Sequence, residues 1–318
     1  MSTATQLGLS TFARDVATGF SDPVQKYISA RYFYDDLGSA LFEAITLLPE
    51  YGLTRADQRL LRLHADEIAS AAHGISLIAE LGSGSGKKTR NVIDAVSRRS
   101  DLLRYSPIDV SAGALAQCEK ELCDAVEVSS ICADWLDGLA EIGRTRASQS
   151  PLLLLFFGSS IGNLERSFIP DFLRRVRSQL KPGDYFLLGA DLVKDIETMM
   201  AAYDDPTGVT AAFNLNLLAR INRELDANFD LRSFGHEVRW NARERRIEMH
   251  LLSERNQSAH IGVLGSTFHL QAGETIWTES SHKFTNGELS DYARKTGFTP
   301  VNTWIDQEWP FAEALWKA

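Results

Sequence analysis

The run "LLLLFF" over residues 152–157 constrains this chain most. Six consecutive apolar side chains leave no polar face. A strand built from them must be covered on both sides, as a central strand of a parallel sheet is. The run is also far too short to cross a bilayer. Short apolar segments alternate with helical patterns around it. "ISLIAELG" (75–82), "LLRYSPIDV" (102–110), "VEVSSICAD" (126–134), "PLLLLFFGSS" (151–160) and "YFLLGADL" (185–192) read as strands. "TRNVIDAVSRR" (89–99), "AGALAQCEKELCDA" (112–125) and "FIPDFLRRVRSQLKPGD" (168–184) read as helices. Ser111 is placed to cap the second of these, and Lys181-Pro182-Gly183 stops the third. Strands and helices in alternation imply a doubly wound α/β sheet.

The pattern changes beyond residue 193. A long helical stretch, "TAAFNLNLLARINREL" (210–225), precedes alternating segments such as "RRIEMHLLSE" (245–254) and "STFHL" (266–270). The end returns to the first type, with a helix "LSDYARKTGF" and strands "PVNTWI" and "FAEALWKA". The expected organisation is a sheet domain over 60–195 and 285–318, interrupted by an α+β domain over 9–59 and 196–284.

Composition narrows the possible functions. With 318 residues and 44% hydrophobic side chains, the chain can bury a sizeable core. A net charge of −9 with no long Lys/Arg run is a poor match to sequence-independent nucleic-acid binding. The opening "MSTATQLGLSTFARDV" has no charged head before an apolar stretch, so no secretory signal is expected. Cys118, Cys123 and Cys132 are odd in number and form no CxxC pair. Reduced thiols in a cytoplasmic protein are expected, with no zinc or other metal.

The stretch "AELGSGSGKKTR" (79–90) follows the first strand. A phosphate loop would need glycine at 81 and Ser or Thr at 88, where this chain has Leu81 and Lys88. Gly82, Gly84 and Gly86 are one residue short of the dinucleotide spacing. Glu80, just ahead of them, would repel a pyrophosphate but suits a cation. S-adenosylmethionine carries an ammonium and a sulfonium. Asp109, at the end of the second strand, is placed to accept both ribose hydroxyls. Asp134, read as the end of the third strand, is placed for the adenine amino group, with Trp135 beside it. Any one of these acids alone reads better as a turn cap. Together with the glycines they point to S-adenosylmethionine, and the candidate cofactor set read from this pattern is Glu80, Gly82, Ser83, Gly84, Gly86, Lys88, Asp109, Asp134 and Trp135.

Several stretches resemble the histidine-specific Nα-methyltransferases of ergothioneine biosynthesis. They are "RYFYDDLGSALFEAITLLPEYGLTR" (31–55), "ELGSGSGKKTR" (80–90), "PIDVS" (107–111), "FFGSSIGNL" (156–164), "YDDPTGVTAAFNLNLL" (203–218), "IEMHL" (247–251) and "TESSHKF" (278–284). The resemblance implies a Rossmann-like class I methyltransferase sheet with an inserted α+β substrate domain. It implies S-adenosylmethionine-dependent conversion of histidine to its trimethylated betaine, hercynine. Asn163 and Tyr203 would hold the α-carboxylate. Glu279 and Ser281 would hydrogen-bond the imidazole, Tyr51 assisting through water, with Met249 beside the ring. Tyr34 and Phe42 would line the site near the amine, and Tyr34 and Tyr51 are the catalytic candidates; Gly158, in the matching loop with Ser160, joins the cofactor-binding candidates. Many relatives have two tyrosines where this chain has Tyr51-Gly52, and threonine where it has Ser160.

The residue chemistry agrees. Asn and Tyr donate to a carboxylate without setting a positive charge beside a sulfonium, and an ionised Glu279 accepts an imidazole N–H. Competing readings are a methyltransferase for another amino acid such as tryptophan, a non-catalytic binding protein, and a nucleotide-dependent oxidoreductase. A small amino-acid substrate, no nucleic-acid or membrane partner, and a monomer are expected.

Overall fold

The computed structural model describes residues 9–100, 102–146 and 151–318. The first elements in chain order are α1 (Thr11–Phe20), β1 (Lys26–Tyr27) and α2 (Asp36–Ile45). Then come α3 (Gly52–Ala71), β2 (Leu77–Leu81), α4 (Arg90–Ser97), β3 (Arg104–Asp109), α5 (Ala112–Leu122), β4 (Glu127–Val128) and β5 (Ile131–Cys132). They continue with α6 (Trp135–Thr145), β6 (Leu152–Phe156), α7 (Ile169–Gln179), β7 (Tyr185–Asp191), α8 (Ile196–Ala201) and α9 (Val209–Glu224). The last are β8 (Phe234–Asn241), β9 (Arg246–Ser253), β10 (Gln257–Ile261), β11 (Ser266–Leu270), β12 (Thr275–His282), α10 (Asn286–Lys295), β13 (Thr299–Ile305) and β14 (Phe311–Lys317).

The chain forms two compact units. One runs to Tyr51 and resumes over Asp195–Ser281; the other comprises Gly52–Lys194 and His282–Ala318. The sequence places the first break at 59/60, eight residues later. α3 is the reason. It is one uninterrupted helix from Gly52, and its buried Ala56, Leu60, Leu61 and Ile68 pack it against α4 and β14.

The second unit is built on an eight-stranded sheet in the order β13-β14-β7-β6-β2-β3-β4, with β5 also on β3. The strands from β4 to β7 run parallel; β14 is antiparallel to β7, and β13 to β14. β6 is the middle strand, and Leu152 to Phe156 are all fully buried, as the apolar run requires. The core joins it to Leu139 and Ile142 of α6, Leu173 and Val176 of α7, and Leu289 and Ala293 of α10. The doubly wound sheet is therefore as expected, with two local differences. "VEVSSICAD" makes two short strands, because Ser129-Ser130 breaks the apolar pattern between them. The sixth strand stops at Phe156, because Gly158 and Ser159 both take left-handed backbone, φ 70° and 61°.

The first unit holds a four-stranded sheet in the order β1-β12-β9-β8 and a two-stranded β10-β11 ribbon. β1 pairs in parallel with β12, Lys26 beside Ile276. α9 buries Phe213, Leu217, Leu218 and Ile221. Phe213 stacks on Phe33 with ring centroids 4.3 Å apart.

Candidate active site

In the second unit the glycine loop leaves β2 at its C-terminal end. Gly82, Gly84 and Gly86 all have positive φ, a turn that L side chains resist. At Gly86 a Cβ would also lie 2.6 Å from Cys118 Sγ. Asp109 ties this loop to the end of β3, as its carboxylate accepts the Gly84 N–H at 3.1 Å and the Ser111 N–H at 2.9 Å. Burial lifts its carboxyl above the ordinary value, against the pull of those backbone donors. Glu80 is fully buried within β2. Its Oε2 accepts from the Thr89 hydroxyl at 2.7 Å and the Tyr105 hydroxyl at 2.6 Å. Burial raises its carboxyl to about 7, those two hydroxyls pulling the other way. Its Oε1 accepts from no group among the described residues.

Lys88 extends from the same loop to Asp57 of α3, Nζ to Oδ2 being 2.6 Å. Burial alone would lower this ammonium; the Asp57 carboxylate outweighs it and holds the group charged. The same Oδ2 accepts the Gly158 N–H at 3.0 Å. Ser160 and Asn163 lie in the short helical turn Ser160–Asn163 that follows. Ser159 sits in left-handed backbone, a conformation costly for a residue with a side chain, and its hydroxyl accepts the Asp191 N–H at 2.9 Å.

Asp134 corrects one expectation. It does not end a strand. It is an exposed residue at the N-cap position of α6, and its side chain makes no capping bond. Trp135 follows, edge-on to Phe156 at 4.8 Å, with its indole 3.2 Å from the position a Gly82 Cβ would take.

In the first unit five of the candidates, Tyr34, Phe42, Tyr51, Tyr203 and Ser281, form a continuous row. Tyr34 meets Phe42 edge-on at 5.6 Å, Phe42 meets Tyr51 at 6.3 Å, and Tyr51 meets Tyr203 at 6.1 Å. The Tyr203 hydroxyl is 2.6 Å from that of Ser281. Glu279, half-buried, lies two residues before Ser281 on β12 and so on the same face. Met249 is buried in β9, and its carbonyl accepts the Thr278 hydroxyl at 2.9 Å. Tyr203 stands just before the start of α9, which Asp205 caps by accepting the Val209 N–H at 3.1 Å and the Thr210 N–H at 2.7 Å.

The sequence reading missed several residues that hold these groups. His236 Nε2 is 2.8 Å from the Tyr203 carbonyl, and Asn214 is 2.9 Å from its other ring nitrogen. Asn214 and Asn216 are polar interruptions in an apolar helix, which was a usable signal. Asp57 and Glu313 were missed as well. A lone acid in the apolar strand "FAEALWK" was a signal for Glu313, whereas Asp57 on an amphipathic helix gives none.

The donor and acceptor set of the second unit fits S-adenosylmethionine. A buried carboxylate oxygen at Glu80 waits for a donor, an aspartate ends β3, and the glycine turn admits close approach. Among the described residues no three His, Cys, Asp or Glu side chains are grouped to hold a metal ion, and no helix is long and apolar enough to cross a membrane.

Residues 12–318 match the family model described as histidine-specific methyltransferase, SAM-dependent. The histidine N-alpha-methyltransferase of Mycobacterium tuberculosis is 41% identical over 305 residues, covering 95% of this chain and 93% of that protein. Its counterpart in Mycolicibacterium smegmatis is 39% identical over the same coverage. Ergothioneine biosynthesis protein 1 of Schizosaccharomyces pombe is 32% identical over 204 residues, 61% of this chain but 26% of that protein. With the match spanning nearly the whole sequence, the chain belongs to the SAM-dependent, histidine-specific methyltransferase family.

Proposed function

We propose that this enzyme transfers methyl groups from S-adenosylmethionine to the α-amino group of L-histidine, ending at the trimethylated product, hercynine. The observation that carries this reading is the row Tyr34–Phe42–Tyr51–Tyr203–Ser281, which supports a substrate site beside the family match. Asn163 and Tyr203 are assigned to the α-carboxylate. Glu279 and Ser281 are assigned to the imidazole, with Met249 bounding the ring and Tyr51 assisting through water. Glu80, Gly82, Ser83, Gly84, Gly86, Lys88, Asp109, Asp134, Trp135 and Gly158 are assigned to the cofactor.

When bound, S-adenosylmethionine supplies a sulfonium methyl that is already electrophilic. The protein's part is alignment and exclusion of water. The α-ammonium must lose a proton before each transfer, and Tyr34 and Tyr51 are assigned to pass it to water. Aromatic faces at Tyr34 and Phe42 suit the cation that grows on the nitrogen. A carboxylate held by neutral donors stays fixed while the amine turns between transfers. We also assign the enzyme to the cytoplasm as a monomer, acting on a free amino acid without nucleic acid or membrane.

Histamine tests the anchor, because it is histidine without the carboxylate. Its kcat/KM should fall at least about a hundredfold below that of histidine, the loss of two buried hydrogen bonds to a charge. Equal turnover of the two would remove Asn163 and Tyr203 from this role. Incubation with all twenty amino acids and mass detection should show methylation of histidine; methylation of another amino acid in its place would overturn the substrate assignment.

A further inference from the structure

Two carboxyl groups that methyl transfer does not use lie together in the second unit. Asp57 on α3 and Glu313 on β14 are both fully buried. Glu313 is opposite Gly189 of β7. A Cβ on Gly189 would come within 2.8 Å of Glu313 Oε1, so the bare backbone there makes room for the acid. β14 packs against α3, and Glu313 Oε1 and Oε2, like Asp57 Oδ1, accept from no N–H or O–H of the described residues. Two neighbouring ionised carboxylates without donors do not persist in a dry interior, so one must carry a proton. Burial and then the charge of Asp57 push the Glu313 carboxyl well above its ordinary value; Glu80 adds to the push and Lys88 opposes it. Lys88 and the Gly158 amide both use Asp57 Oδ2, while Asp57 Oδ1 accepts from no N–H or O–H of the described residues.

We propose that Glu313 remains protonated at neutral pH and donates to Asp57 Oδ1, leaving Oδ2 as a fixed clamp on Lys88 and the Gly158 amide. Both acids are then positioning residues. They join the glycine loop after β2 to the loop after β6 without touching the ligand. The proposal rests on the assignment of Lys88 and Gly158 to the cofactor.

Two measurements test it, the affinity for S-adenosylhomocysteine by calorimetry and the thermal midpoint as a function of pH. Glu313→Leu removes the donor and should weaken affinity roughly tenfold. Glu313→Gln keeps an N–H donor but no titrating proton, and should restore affinity to within about twofold of wild type. As pH rises from about 5 to about 8, the wild-type midpoint should fall relative to Glu313→Gln. The folded protein keeps a proton there that the unfolded chain has already released. Wild-type affinity in Glu313→Leu would overturn the positioning role. Parallel pH profiles for wild type and Glu313→Gln would overturn the retained proton, and this arm needs only the variant of matched shape. Unchanged affinity in Lys88→Met would overturn the link to the cofactor while leaving the profile difference in place, so the two failures are distinguishable.

Discussion

At Gly52 a single hydrogen atom decides what fits. A Cβ there would lie 2.1 Å from the ring of Trp309. That ring is pinned, because its indole N–H donates to Asp191 at 3.0 Å and Lys194 lies over its face at 4.7 Å. The glycine after Tyr51 is therefore matched by a tryptophan in the space that a side chain would take. Gly52→Ala should cost about 1–3 kcal/mol by overpacking, read as a lower denaturant midpoint, and Trp309→Ala in the same chain should recover part of it. Asp109→Ala should weaken S-adenosylmethionine binding by about 1–3 kcal/mol, measured by calorimetry. For side-chain choice, Glu279→Ala with Met249→Val removes an acceptor and opens volume. The histidine-to-tryptophan ratio of kcat/KM should fall by about tenfold or more; an unchanged ratio would place side-chain reading elsewhere. At this scale the sequence reveals residues with a chemical signature, such as Glu80 before its glycines. It hides partners such as Asp57 and Trp309, which are defined only by what the fold brings to them.

Among the elements, the strands that form one continuous apolar block were legible, and so was the Ser111 cap of α5, whose hydroxyl accepts the Ala114 N–H at 3.2 Å. The broken pair β4 and β5 was not, because two serines make no clear signal against strand propensity. Asp134 was misplaced by the same break. In the β8–β9 hairpin, Glu248 shows how an element is tied by charge. Hydrogen bonding from His250 comes first, against the cost of burial, and Asn241 and Arg246 add to it, lowering the carboxyl to about 2. A carboxyl lowered in the folded state stabilises above its unfolded value near 4.5, and that gain is lost as pH falls toward 2. Glu248→Gln should therefore lose about 1–3 kcal/mol at neutral pH and show a shallower acid limb in its unfolding midpoint. An acid limb identical to wild type would mean that the hairpin is held by packing instead.

For the whole molecule, the strand–helix alternation sufficed to read the sheet, because parallel strands buried on both faces need apolar runs. The chain's passage between units at 51/52 was less legible, since no composition change marks where α3 begins. One of these units has an unusual timetable. Among the described residues β1 pairs only with β12, so Lys26 waits for Ile276. On the ribosome, some 250 residues must emerge before that strand finds its partner. A nascent chain halted before β12 should leave the segment around Lys26 and Tyr27 open to protease, and one halted after β12 has been released should protect it. The first strand synthesised is thus the last of its sheet to find a partner.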